Sequence, residues 1–141
     1  MDTGPVQRFG VSMEAALLGR FDAYVRNHGY ANRSAALRDL VRDRLVEEAW
    51  RNESGEVAGA AILLYDHRKS GLSDELTEIQ HHHARLVVST SHVHLDAANC
   101  LEVVILRGPA AEVREVAEQL RTVRGVHHGR VLVTAVGDDM P

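Results

Sequence analysis

The sequence predicts an α+β chain in two blocks, a βαα block followed by a βαββαβ block. Three observations carry this. Apolar spacing switches between the period of 2 of strands and the period of about 3.6 of helices. Pro and Gly mark the switches, and the polar segment Arg51-Asn52-Glu53-Ser54-Gly55 has the composition of a linker. The blocks are accordingly placed at residues 1–52 and 53–141.

The first block opens with VQRFGVSM, where Phe9, Val11 and Met13 share one face of a strand and Arg8, Gly10 and Ser12 the other. Ser12 is placed to cap the first helix, although Ala15 stands where a capping box would put an acid. That helix, MEAALLGRFDAYVRNH, carries Leu17, Leu18, Phe21, Tyr24 and Val25 at helical spacing, with Gly29 as its stop. Asn32 or Ser34 caps the second, RSAALRDLVRDRLVEEAW, whose stripe is Ala36, Leu37, Leu40, Val41 and Leu45. A lone strand has no partner, and roughly 50 residues make a thin core. Both deficits vanish if two chains pair, their strands forming an antiparallel ribbon over four helices.

The second block reads as strand 57–66, helix 72–84, strand 86–95, strand 100–107, helix 109–123 and strand 126–136. Pro109 suits a first helical turn and Gly125 a helix stop. This order is the split, ferredoxin-like arrangement, whose sheet keeps one face free of its own helices and so invites oligomerisation.

Length and composition narrow the function classes. A chain of 141 residues makes one ordinary domain or two small ones, and with 4% aromatics its cores must be Val, Leu, Ile and Ala. The single cysteine excludes an intrachain disulfide and suits a reducing cytoplasm. No apolar stretch approaches a membrane span and no export signal is visible, so the expectation is a soluble, cytoplasmic protein. The net charge of −4 conceals an asymmetry: residues 1–52 hold eight Arg against seven acids, and residues 53–141 eight basic groups against thirteen acids. A polyanion would meet the first block.

The chemistry concentrates in HVHLDAANC. His92 and His94 lie two apart in a β-branched run, hence on one strand face, and LDAAN reads as a hairpin loop that returns the chain at Cys100 beside His94. Two imidazoles and one thiol make three ligands. The fourth is sought in His81, His82 and His83 at the end of the preceding helix, where successive residues point about 100° apart, so at most one faces any site. With a straight strand of about 3.3 Å per residue, His92 and His94 fall about 20–26 Å from that helix end. Spacing therefore predicts a site shared between subunits, a helix-borne His from one chain meeting the hairpin of another. A tetrahedral arrangement of such ligands suits zinc, a planar one Ni(II) or Cu(II). His28, His67, His127 and His128 are read as packed or solvated side chains. In the first block a two-stranded ribbon fits the DNA major groove, where Arg8 and Ser12 can read base edges and Gly10 has nothing to read with. Asn32, Arg33 and Ser34 offer a helix N-terminus and a guanidinium to phosphate. The plainer reading of the same segment is a solvated edge strand.

The phrases VQRFGVSM, GYANRSAALRDLVR, QHHHARLVVSTSHVHLDAANCLEVVILRG and GVHHGRV resemble the nickel-responsive ribbon-helix-helix regulators, the NikR family, over nearly the whole length. The resemblance implies a homotetramer, a dimer of dimers, with ribbon-helix-helix DNA-binding domains flanking a core of ACT-like βαββαβ domains. It implies a square-planar Ni2+ site of His92, His94 and Cys100 with His81 from a neighbour, surrounded by Gln80, Tyr65 and Glu102. It further implies nickel-dependent repression of nickel-uptake genes through a palindromic operator. Arg8, Gly10 and Ser12 match DNA-reading positions, Gly10 standing where family members can carry Thr, and Asn32, Arg33 and Ser34 match the phosphate-facing helix start. Asp39 matches one acid of an auxiliary cation site, but its partner position is Ala35. The rival readings are a regulator of this architecture that senses another metal or a small ligand, and a metal-dependent enzyme. The enzyme is disfavoured because no Glu, Asp or Lys is spaced as a general base and four protein ligands close the site.

Overall fold

The computed structural model describes residues 4–136, which form two compact units that part within the second helix, between Leu45 and Val46. In the first unit α1 (Ala15–Asn27) begins after Glu14, whose side chain makes no capping bond, so Ser12 is not the cap. Gly29 follows the helix at φ 72°, a conformation that costs a residue with a Cβ but not glycine. The start of α2 (Arg33–Arg51) is fixed by Asn32, whose Oδ1 accepts the backbone N–H of Ala35 at 2.9 Å. Residues 4–14 form no strand, because the ladder hydrogen bonds of a lone strand have no acceptor within one chain. Phe9 is 78% exposed, and Val6, Val11, Leu17 and Val41 are exposed with it.

The second unit holds β1 (Glu56–Asp66), α3 (Leu72–His82), β2 (Val87–His94), β3 (Asn99–Pro109), α4 (Ala110–Arg121) and β4 (Val126–Ala135). All neighbours in the sheet are antiparallel, in the order β2-β3-β1-β4, as a split βαββαβ chain requires. The two helices cover one face. Leu72, Leu76 and Gln80 recur every four residues along α3, and Ala110, Val113, Val116, Ala117 and Leu120 make the buried stripe of α4. They meet Val57, Ala61, Leu63 and Tyr65 of β1 and Cys100, Val104 and Leu106 of β3, alternate residues on one side of the pleat. Ala58, Ala60, Ile62 and Leu64 therefore face the other side, with Leu101, Val103 and Ile105 of β3, Val93 of β2 and Leu132 of β4 joined to them by register. No helix among the described residues is long and apolar enough to cross a membrane.

Candidate metal centre

The hairpin between β2 and β3 sets the centre. Its loop is tied by Asp96, whose Oδ1 accepts the backbone N–H groups of Ala98 and Asn99 at 2.8 Å and whose Oδ2 accepts the Asn99 side-chain amide at 2.9 Å. These bonds hold the Asp96 carboxyl down at about 2. The turn so fixed pairs His94 with Cys100 and His92 with Glu102. Cys100 Sγ lies 3.3 Å from His94 Nδ1, and the His92 and His94 rings stack with centroids 5.7 Å apart. Cys100 is fully buried. Burial pushes its thiol up, and the charges of Glu102, Asp66 and Asp96 push it further.

Beneath His92 runs a chain of hydrogen bonds, buried at Tyr65, Glu102 and Gln80 and open at Thr90. The Tyr65 hydroxyl donates to Glu102 Oε2 at 2.8 Å, Gln80 Nε2 donates to Glu102 Oε1 at 2.8 Å, and the Thr90 hydroxyl donates to Gln80 Oε1 at 2.6 Å. Tyr65 has one hydroxyl hydrogen, given to Glu102. Its oxygen, 3.0 Å from His92 Nε2, therefore accepts, which makes His92 the Nε2–H tautomer and leaves the lone pair on Nδ1. Burial first, then the Glu102 bond, raises the Tyr65 hydroxyl, so it stays protonated. The chain ties α3 to β1, β2 and β3 around one imidazole.

The sequence estimate of 20–26 Å between the α3 end and His92 is corrected by this packing. α3 folds back along the sheet, so that Gln80 touches Thr90 and Glu102. Direction, not reach, is what separates His81 from the hairpin residues: Gln80 is buried, and the next residue, about 100° round the helix, is exposed. His82 is likewise exposed, and His83 lies 3.2 Å from Gln119 Oε1.

His67, read from the sequence as a packed or solvated side chain, packs beside His94 and Cys100: its donor atom and theirs all lie within 4.8 Å of one another. The sequence carries half of the signal, since residues 65 and 67 share a face of an extended run, but the register that sets Asp66 opposite Asn99 beside the hairpin loop appears only in the fold. The His67 N–H donates to Ala98 O at 3.0 Å, holding the residue over the loop. The donors suit a borderline divalent cation, since imidazole nitrogen and thiolate select such ions over hard ones, and His67 Nδ1 is buried without a hydrogen-bond partner.

In the first unit Arg8, Gly10 and Ser12 are exposed in the segment before α1. Arg33 is held by Asp22 through two bonds of 2.7 and 2.9 Å, while Asn32 caps α2. Asp39 accepts the Tyr30 hydroxyl at 2.9 Å, which raises that hydroxyl to about 12, and Arg42 lies 3.8 Å away. A groove of about 690 Å3 is lined by Val6, Arg8, Phe9, Leu37, Val41 and Arg42.

Comparison with known proteins adds a family. Residues 58–134 match the NikR C-terminal nickel-binding domain. Over 137 residues, 97% of this chain and 99% of each relative, the chain is 48% identical to a protein of Geobacter sulfurreducens. It is 46% identical to one of Pelobacter propionicus and 45% to one of Nitratidesulfovibrio vulgaris over the same shares. All three carry the name nickel-responsive regulator.

Proposed function

The chain belongs to the NikR family of nickel-responsive regulators, transcription factors rather than enzymes, and on that premise we propose that it represses nickel-uptake genes when Ni(II) is bound. The observation that carries this reading is the pairing of His94 with Cys100 at 3.3 Å, with His92 on the same strand face. His92, His94 and Cys100 hold the ion together with His81 of the partner subunit. The bound ion supplies a link that ties two chains at one point. Tyr65 keeps the His92 lone pair on Nδ1, while Glu102 and Gln80 tie that imidazole to α3, so that α3 and its His81 are set by the same hydrogen bonds.

Residues 1–52 are the ribbon-helix-helix DNA-binding domain and residues 53–141 the ACT-like metal-binding and tetramerisation domain. Two copies of the first pair their segments through the exposed Val6, Phe9 and Val11, supported by the apolar groove beside α2. Arg8 and Ser12 read bases, Gly10 permits close approach, and the α2 start at Asn32, Arg33 and Ser34 faces phosphate, with Arg33 oriented by Asp22. A homotetramer, a dimer of dimers in the cytoplasm, then presents two such pairs to a palindromic operator. Asp39 is bonded to Tyr30 and has Ala35 one turn back, which speaks against an auxiliary cation there.

The test is a nickel titration of the unmodified chain and of Cys100→Ala, followed in the same tube by DNA binding. The unmodified chain is expected to show one thiolate-to-nickel charge-transfer species per subunit and nickel-dependent operator binding. Cys100→Ala should lose both while keeping its assembly. A nickel-dependent gel shift unchanged in Cys100→Ala would overturn the reading.

A further inference from the structure

We propose that Arg114 is a positioning residue: by clasping Trp50 and Glu53 it fastens the C-terminal end of α2 to the metal-binding unit, and so makes α2 itself the connection through which nickel acts on DNA binding. This rests on the nickel reading and adds the route from that centre to the DNA-binding residues. α2 is one helix of 19 residues, yet the chain parts into its two units between Leu45 and Val46. The change shows along the helix. Leu45 is 44% exposed although it is apolar, whereas Val46, Ala49 and Trp50 are half-buried, and their spacing of three and four puts them on one face. Trp50 packs against the core of the second unit.

Arg114, on α4, holds that end at three points. Its guanidinium lies over the Trp50 ring with Cζ 4.6 Å from the centroid, donates to the Trp50 carbonyl oxygen, and comes within 3.5 Å of Glu53 Oε1 through Nε. Trp50 stands in the last turn of α2, where carbonyls have no partner within the helix and a cation meets the negative end of the helix dipole. The stretch that follows is folded, not slack. The N–H groups of Asn52 and Ser54 return to the Glu48 and Ala49 oxygens at 2.9 Å, and Gly55 O accepts the N–H of Ala110, the first residue of α4, at 3.0 Å. Residues 51–55 thus have a linker's composition but are bonded to α2 on one side and to α4 on the other. A slack segment would let the two units turn independently, whereas a bonded one passes a movement of α4 on to α2. α4 in turn shares one core with Tyr65 and Cys100. A helix held at one end acts as a lever. At 1.5 Å per residue Ser34 lies about 24 Å along the helix from Trp50, so a tilt of about 10° at the clasp carries the start of α2 by about 4 Å, more than the rise of about 3.4 Å between base pairs.

The experiment uses the full chain, with its single tryptophan, Trp50, reporting on the clasp. Arg114→Gln should shift the Trp50 emission to the red and open it to acrylamide, while the nickel charge-transfer band and its stoichiometry persist. The same variant should lose about ten- to a hundredfold of the nickel-dependent gain in operator affinity. Its binding to random DNA should be unchanged, since Arg8 and the start of α2 are untouched. Arg114→Lys keeps a cation over the indole and should recover most of the gain, whereas a merely structural loss would leave the two variants alike. If Arg114→Gln disturbs folding, Trp50→Leu removes the clasp from the helix side and should show the same loss with the nickel band intact. Trp50 emission unmoved by Arg114→Gln, a nickel-dependent gain unaltered in Arg114→Gln or Trp50→Leu, or Arg114→Lys no better than Arg114→Gln would each overturn the proposal. Operator binding indifferent to nickel in the unmodified chain would overturn the nickel reading as well, and is told apart by occurring without any substitution.

Discussion

Cys100 and Tyr65 do unlike work within one patch of sheet. The Cys100 thiol holds its proton to higher pH than in an unfolded chain, first because it is buried and then because Glu102, Asp66 and Asp96 repel the thiolate. A group raised in this way contributes stability to the metal-free fold that is fully present below its unfolded pKa and is lost as pH rises from there through the folded pKa. Metal binding has the opposite slope, because the ion must displace the proton: nickel affinity should fall as pH falls, by up to tenfold per unit. Calorimetric titrations in buffers of different ionisation enthalpy should show about one proton released per nickel at neutral pH, and none released would contradict the thiolate. Tyr65→Phe removes the donor to a buried Glu102 oxygen and the acceptor of His92 Nε2–H. It should cost about 1–3 kcal/mol in urea unfolding and weaken nickel about 10–100-fold. The pairing of His94 with Cys100 was legible because a hairpin fixes its own register. His67 was not, since its proximity depends on how β1 pairs with β3 across the 32 residues between Asp66 and Asn99.

At the scale of elements, β1, β3 and the two helices of the second unit follow the apolar periodicity, because both helices and one sheet face are buried within a single chain, whereas β2 is exposed beyond Val87 and is marked by its β-branched run instead. The first unit follows it less closely. Its expected strand is absent from residues 4–14, where nothing within the chain supplies the partner ladder, and the expected Ser12 cap yields to a start at Ala15. Local capping succeeds where side chain and backbone are close in sequence, as at Asn32. Asn32→Ala should destabilise α2 by about 1 kcal/mol and Asn32→Gly by only a few tenths, read from urea unfolding followed by helical circular dichroism. Equal losses for both would show that the Asn32 side chain does not cap. The helix-end distance was misjudged for a related reason: strand length is readable from sequence, but the direction in which α3 lies over the sheet is set by Leu72, Leu76 and Gln80 packing at a distance.

The whole molecule presents an apolar sheet face that its own helices leave bare, with Leu132 67% exposed and Val93 46%. That face was foreseeable from the strand order, but its occupant is not written in one chain. A second copy covering it predicts that Leu132→Glu leaves the monomer folded while lowering the assembly state in sedimentation, and an unchanged assembly would locate the contact elsewhere. If covering that face is what unites the ligands of two chains, then every halving of copy number dilutes the pairing equilibrium along with the sensor, and the intracellular threshold for nickel drifts with how much of the protein a cell makes.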